Sequence, residues 1–206
     1  MLGFFFESPL LFLIWTGALL VAITIHEFAH ALAADRLGDP TPRLQGRLTL
    51  NPIAHLDPIG TILLLLVGFG WGKPVIFDPY NLEKPRRDAA LISLAGPVSN
   101  IVLASVLSLV FRVYPSAFIV PFVVLNISLA IFNLIPIHPL DGGKILVGLV
   151  SSKQARVLDI FLTRYGMFML LGLILPIFGG NSLISIIILP VRDLLLSLYL
   201  PGIGTL

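Results

Sequence analysis

The chain has 206 residues, room for one domain or two small ones, and 57% of them are hydrophobic while 12% are charged. A soluble domain carries about twice that charge, so the composition is that of an integral membrane protein. A net charge of +2 on so apolar a chain excludes a nucleic-acid binder, and with no cysteine there are neither disulfides nor thiolate metal ligands. The opening "MLGFFFESPLLFLIW" lacks a basic start and a small-residue cleavage site, so it is expected to stay as a membrane helix.

A first span is expected from about residue 8 into "ADRLGD". Residues 35–58 follow as a turn series rich in proline, with Arg36, Arg43, Arg47 and Asp57. "IGTILLLLVGFGWG" (59–72) is apolar, but its 14 residues fall short of the roughly 20 that a span needs. It is expected to re-enter or to lie at the interface. "KPVIFDPYNLEKPRRD" reads as a short strand and then a polar, basic loop, which gives a β-like segment near residues 66–77. Its edge either pairs with unwound substrate by strand addition or is an interfacial loop. Two spans follow, 89–111 and about 117–136. The uncharged run 165–191 forms two short spans broken at "FGGNS" or one kinked span. The expected fold is therefore an all-α polytopic membrane protein of about five transmembrane helices, four if the last run is single. It forms one domain over 1–206, with a motif-bearing core over about 8–145.

Charge orients these pieces. Seven of the 13 lysines and arginines lie in 35–88 and four in 141–164, while the loop between the two middle spans has only Arg112. The positive-inside rule puts both rich segments in the cytoplasm.

The chemistry begins in "VAITIHEFAHALAADRLG". On a helix, His26 and His30 lie one above the other and offer two imidazoles to a single point, the arrangement one Zn²⁺ needs. Glu27 stands beside them, placed to take a proton from an attacking water without binding the metal, as in metallopeptidases. A lone histidine in an apolar helix is more often a hydrogen-bonded core residue or a proton relay. Two imidazoles and a carboxylate together cost several kcal/mol to bury unpartnered, which favours the metal. A third ligand is needed, from His55, His138 or an aspartate. His55, in "NPIAHLDPIG", reads as a loop-structuring residue. Asp141, in "NLIPIHPLDGGKI", ends an uncharged run after Pro136 and Pro139, with Gly142 and Gly143 giving the backbone freedom to turn it inward. It is equally well the N-cap of the helix that follows, and the segment alone leaves both readings open. If His26, His30 and Asp141 share one ion, the ends of their spans lie on the same side, so 59–72 cannot cross.

"HEFAH" in one span, "NLIPIHPLDGG" at the end of a later one and "AGPVSN" between them resemble the site-2 proteases, a family of intramembrane zinc metalloproteases. The likeness covers roughly residues 20–145, in a minimal form without PDZ or CBS domains. It implies that His26, His30 and Asp141 bind one Zn²⁺, that Glu27 is the catalytic base, and that the substrates are single-span transmembrane proteins. It also brings Asn100 and Asn133 near the site, to contact substrate or the developing oxyanion, or else simply to bond between helices. The implied setting is a multi-pass protein of a prokaryotic cell membrane, in contact with membrane lipids. The other readings are a membrane metal-binding or ion-transporting protein and an inactive scaffolding homologue.

Overall fold

The computed structural model describes residues 8–67, 70–176 and 182–202. The described residues form helices and loops without a strand. The α-helices among the described residues are α1 (Pro9–Arg36), α2 (Thr41–Leu44), α3 (Pro58–Val67), α4 (Pro85–Val113), α5 (Val120–Asn133), α6 (Asp141–Leu149), α7 (Ser152–Ile174) and α8 (Leu183–Tyr199). Single turns of 3₁₀ helix lie at Pro52–His55 and Pro79–Asn81.

Three of these helices, α1, α4 and α7, are long and apolar enough to cross a membrane. The expectation of about five is met only that far. The span expected over 117–136 is the 14-residue α5, about 21 Å long against a hydrocarbon core of about 30 Å. Pro136 and the turns around it stop α5 early. The last apolar run divides between α7 and the 17-residue α8; most of the "FGGNS" break lies outside the described residues.

Lipid accounts for the outer faces. On α4, Leu91, Leu94, Val98, Val102, Val106 and Leu109 are exposed at helical spacing, a stripe costly in water and at ease in hydrocarbon. The inner face of α1 is built from small residues: Ala18, Ala22, Ala31 and Ala34 have no exposed surface. These let the backbone of α4 approach closely, and α1 packs mainly on α4 and α5. A second cluster, with Phe111, Val123, Ile127 and Leu196, joins α4, α5 and α8. Helix α1 ends at Arg36, and just beyond its cap Gly38 has a φ of 105°, which suits a residue without a Cβ.

The β-like segment is reduced to one antiparallel bridge between Leu56 and Gly72, beside which the Lys73 amide donates to the His55 carbonyl at 2.9 Å. The chain thus leaves at 56, passes through the ten-residue α3, and returns to its starting point at 72. Residues 73–78 run on without regular structure because no second strand lies beside them among the described residues to complete a ladder. Gly68 and Phe69 lie outside the described residues.

Candidate metal centre

Helix α1 carries His26 and His30 on its buried side, 5% and 7% exposed, with ring centroids 4.6 Å apart. Helix α4 supplies the partners that aim them. His26 Nδ1 lies 2.6 Å from Asn100 Oδ1, and His30 Nδ1 lies 2.7 Å from the Ile92 carbonyl. Asn100 is locked in this sense, because its Nδ2 donates to the Ala22 carbonyl (3.0 Å) and to Asn126 Oδ1 (2.7 Å). Both Nδ1 atoms therefore face pure acceptors and must donate, which leaves each Nε2 with its lone pair. This is the orientation that outer partners impose on metal-binding histidines.

Asp141 enters from the start of α6. It occupies the first helical position, Leu140 is the N-cap, and no side chain caps the helix. Its Oδ2 lies 3.1 Å from His26 Nε2 and 3.2 Å from His30 Nε2. All three donor atoms fall within 4.8 Å of one another. Neighbouring ligands on a tetrahedral zinc with bonds of about 2.0–2.1 Å stand roughly 3.3 Å apart. Three electron-pair donors converging this closely suit a cation at their centre, so the residues present fit a zinc ion. Gly142 and Gly143 supply space and not conformational freedom, since neither has a positive φ; a Cβ at Gly142 would fall 2.3 Å from the Ile135 carbonyl.

Glu27 stands on the same small cavity, of about 140 Å³, with His26, His30, Asp141, Asn133 and Ser93 on its walls. Its Oε2 accepts the Val75 amide at 2.9 Å, and Arg47 Nη2 lies 4.0 Å away. The Val75 donor, which could have joined a substrate strand, is thus committed to the glutamate. Asn133 donates to the Leu129 carbonyl of its own helix (3.0 Å) while facing the cavity. Asn100 has no exposed surface and does not line that cavity. His55 is likewise fully buried and bonds the Thr49 carbonyl at 2.8 Å, as a loop-structuring residue does. His138 pairs with Asp159 at 3.1 Å, away from the three donors.

Sequence reasoning missed Arg47, the Val75 amide, Asn126 and the close approach of Gly96. Two of these left a signal: Asn126 is a polar residue in an apolar run, and Gly96 opens the "GPVSN" stretch. A Cβ on Gly96 would lie 2.4 Å from His30 Nε2 and 2.7 Å from His26 Cε1.

Fold and site together define a helical membrane protein with a metallopeptidase-type centre between its first long helix and the start of α6. The model of peptidase family M50 matches residues 112–175, which include Asn133 and Asp141. A Bacillus subtilis protein named "Putative zinc metalloprotease YwhC" is 44% identical over 146 residues, covering 64% of this chain and 67% of that protein. "Putative zinc metalloprotease Rip2" of Mycolicibacterium smegmatis is 31% identical over 160 residues, 71% of this chain and 61% of that one. Stage IV sporulation protein FB of Bacillus subtilis is 32% identical over 148 residues, 66% of this chain and 50% of that one. The chain belongs to peptidase family M50, the site-2 protease family of zinc metalloproteases. It spans about two thirds of the first of these relatives and less than two thirds of the other two. No solved structure matches it.

Proposed function

We propose that the chain is an intramembrane zinc endopeptidase that cuts within or beside the transmembrane segments of single-span membrane proteins, as in regulated intramembrane proteolysis. The observation that carries this reading is the convergence of His26, His30 and Asp141 within 4.8 Å, on one cavity with Glu27. His26, His30 and Asp141 hold one Zn²⁺. When bound, the ion supplies Lewis acidity toward water and toward the scissile carbonyl.

The chain's own residues do the rest. Glu27 takes the proton from the attacking water at its carboxylate and passes it to the leaving amine. The Val75 amide holds that carboxylate at the cavity. Asn100 keeps His26 in the metal-binding tautomer; its polar atoms are all committed there, which favours this role over contact with substrate. Asn133, on the cavity wall, meets the substrate backbone. A groove of about 630 Å³ between residues 74–79 and α7 shares Val75, Phe77, Pro139 and Lys144 with the metal cavity. It offers an unwound substrate segment an extended path away from the site.

Segment 35–88 and the stretch from 141 to the start of α7 face the cytoplasm of a prokaryotic cell. Helices α5 and α8, with their flanking residues, complete about five crossings among membrane lipids. The test is cleavage of a panel of tagged single-span proteins by the purified wild type and by Glu27→Gln. The variant is expected to keep its zinc while cleavage falls by about 10²–10⁴-fold. Wild-type cleavage by Glu27→Gln would sink the mechanism.

A further inference from the structure

We propose that Arg47 is a positioning residue for Glu27, clamping the extended segment whose Val75 amide holds the glutamate. Arg47 acts through Glu27, so its role rests on the reading of Glu27 as the base. The residue comes from "LQGRLTLNP", in the turn series after α1 and outside all three motifs. Its amide donates to the Pro42 carbonyl at 2.8 Å, and its side chain turns inward until the residue is 3% exposed.

A buried guanidinium costs several kcal/mol unless its donors and charge are met. Here one terminal nitrogen donates to the Ala54 carbonyl and the other to the Lys73 carbonyl, while Nε has no hydrogen-bond partner among the described residues. Ala54 sits just before the excursion through α3, and Lys73 just after it. One planar cation therefore ties the two ends of that excursion together and also faces the Glu27 carboxylate at 4.0 Å. From Lys73 the extended chain reaches Val75 in two residues, about 7 Å. The far end is pinned too, by the Asp78 amide on Asp39 Oδ2 at 2.7 Å. Slack at Lys73 would pass directly to the Val75 amide and from there to Glu27. Arginine suits this task because its fork reaches two carbonyls at once, which a lysine ammonium cannot do with the same geometry.

The test uses Arg47→Lys and Arg47→Gln in the full chain, beside Glu27→Gln. Zinc content, kcat and KM are measured on a single-span substrate that the wild type cuts. Each substitution is also combined with Val75→Cys, a single thiol in a chain without native cysteine, at a position 9% exposed. The reaction rate of that thiol with a soluble maleimide reports the segment without reference to activity. Zinc should stay at wild-type content and KM should hold within about threefold, while kcat falls about tenfold in Arg47→Lys and about 100-fold in Arg47→Gln. The thiol should react faster in Arg47→Gln than in Arg47→Lys, and faster in Arg47→Lys than with Arg47 intact.

Wild-type kcat in both arginine variants, with Glu27→Gln inactive, would overturn the role of Arg47 alone. So would an unchanged thiol rate in Arg47→Gln, loss of zinc in either variant, or a defect confined to KM. If Arg47→Gln fails to fold, Arg47→Lys decides by the same measures. An active Glu27→Gln would instead overturn the parent reading, leaving the thiol rates to judge the clamp.

Discussion

Replacing Gly96 by alanine exchanges one hydrogen for a methyl group, yet the structure leaves no room for it. The new Cβ would stand 2.4 Å from His30 Nε2 and 2.5 Å from its Cε1. Ordinary contact between such atoms begins near 3.5 Å, so the imidazole or helix α4 must yield by about 1 Å. Metal–ligand distances in well-formed sites fall within about 0.2 Å of their usual values. His30 cannot tilt freely either, because its Nδ1 is held by the Ile92 carbonyl on the same helix as Gly96. Loss of a single outer partner lowers zinc affinity by about 10–100-fold. Displacing the ligand itself should reach at least the upper end of that range. The matched control is Gly17→Ala in α1, where an added Cβ meets nothing within 4 Å. The assay is zinc retained per chain against a graded series of chelators. Gly17→Ala should follow the wild type, while Gly96→Ala gives up its zinc to a chelator about 100-fold weaker. Wild-type retention by Gly96→Ala would refute both the site geometry and the placement of zinc on His30.

Asp141→Asn separates a ligand from a helix cap: asparagine caps as well as aspartate but is a poor metal ligand, so zinc content should drop. Equal zinc in the variant and the wild type would refute the assignment. Asp39, in the loop after α1, gives a pH dependence. Burial would raise its pKa, but hydrogen bonds from Thr41, Asn81 and Asp78 outweigh burial and hold the carboxyl below its ordinary value. A carboxyl depressed in the folded state adds stability that is present above the unfolded value of about 3.9 and is lost as pH falls through the folded value. Asp39→Asn leaves the Asp78 amide without its ionised acceptor, so at neutral pH it should cost about 1–3 kcal/mol in thermal or denaturant unfolding. That gap should narrow in acid; a gap of equal size at about pH 2.5 would refute the assignment.

The sequence by itself determined the membrane class, the zinc chemistry and the pairing of His26 with His30. Composition is summed over the whole chain, and the spacing of two residues on one helix face depends only on local geometry. The ten-residue α3 and its return to the start were foreshadowed in the same way, by a run too short to cross. The number of long helices was harder to read, because an uncharged run does not reveal where proline turns end a helix, as they do after Asn133. Tertiary structure alone took Asp141 out of the cap position and set its carboxylate against the two histidines. That placement depends on a histidine 115 residues away and on the backbone entering α6 with Leu140, not Asp141, as its cap. It likewise turned Asn100 from the cavity toward His26 and gave the Val75 amide to Glu27. A buried polar group must find a partner, but the sequence states only the requirement. Packing chooses the partner, because it alone brings α1, α4 and segment 73–78 within hydrogen-bonding reach of one another.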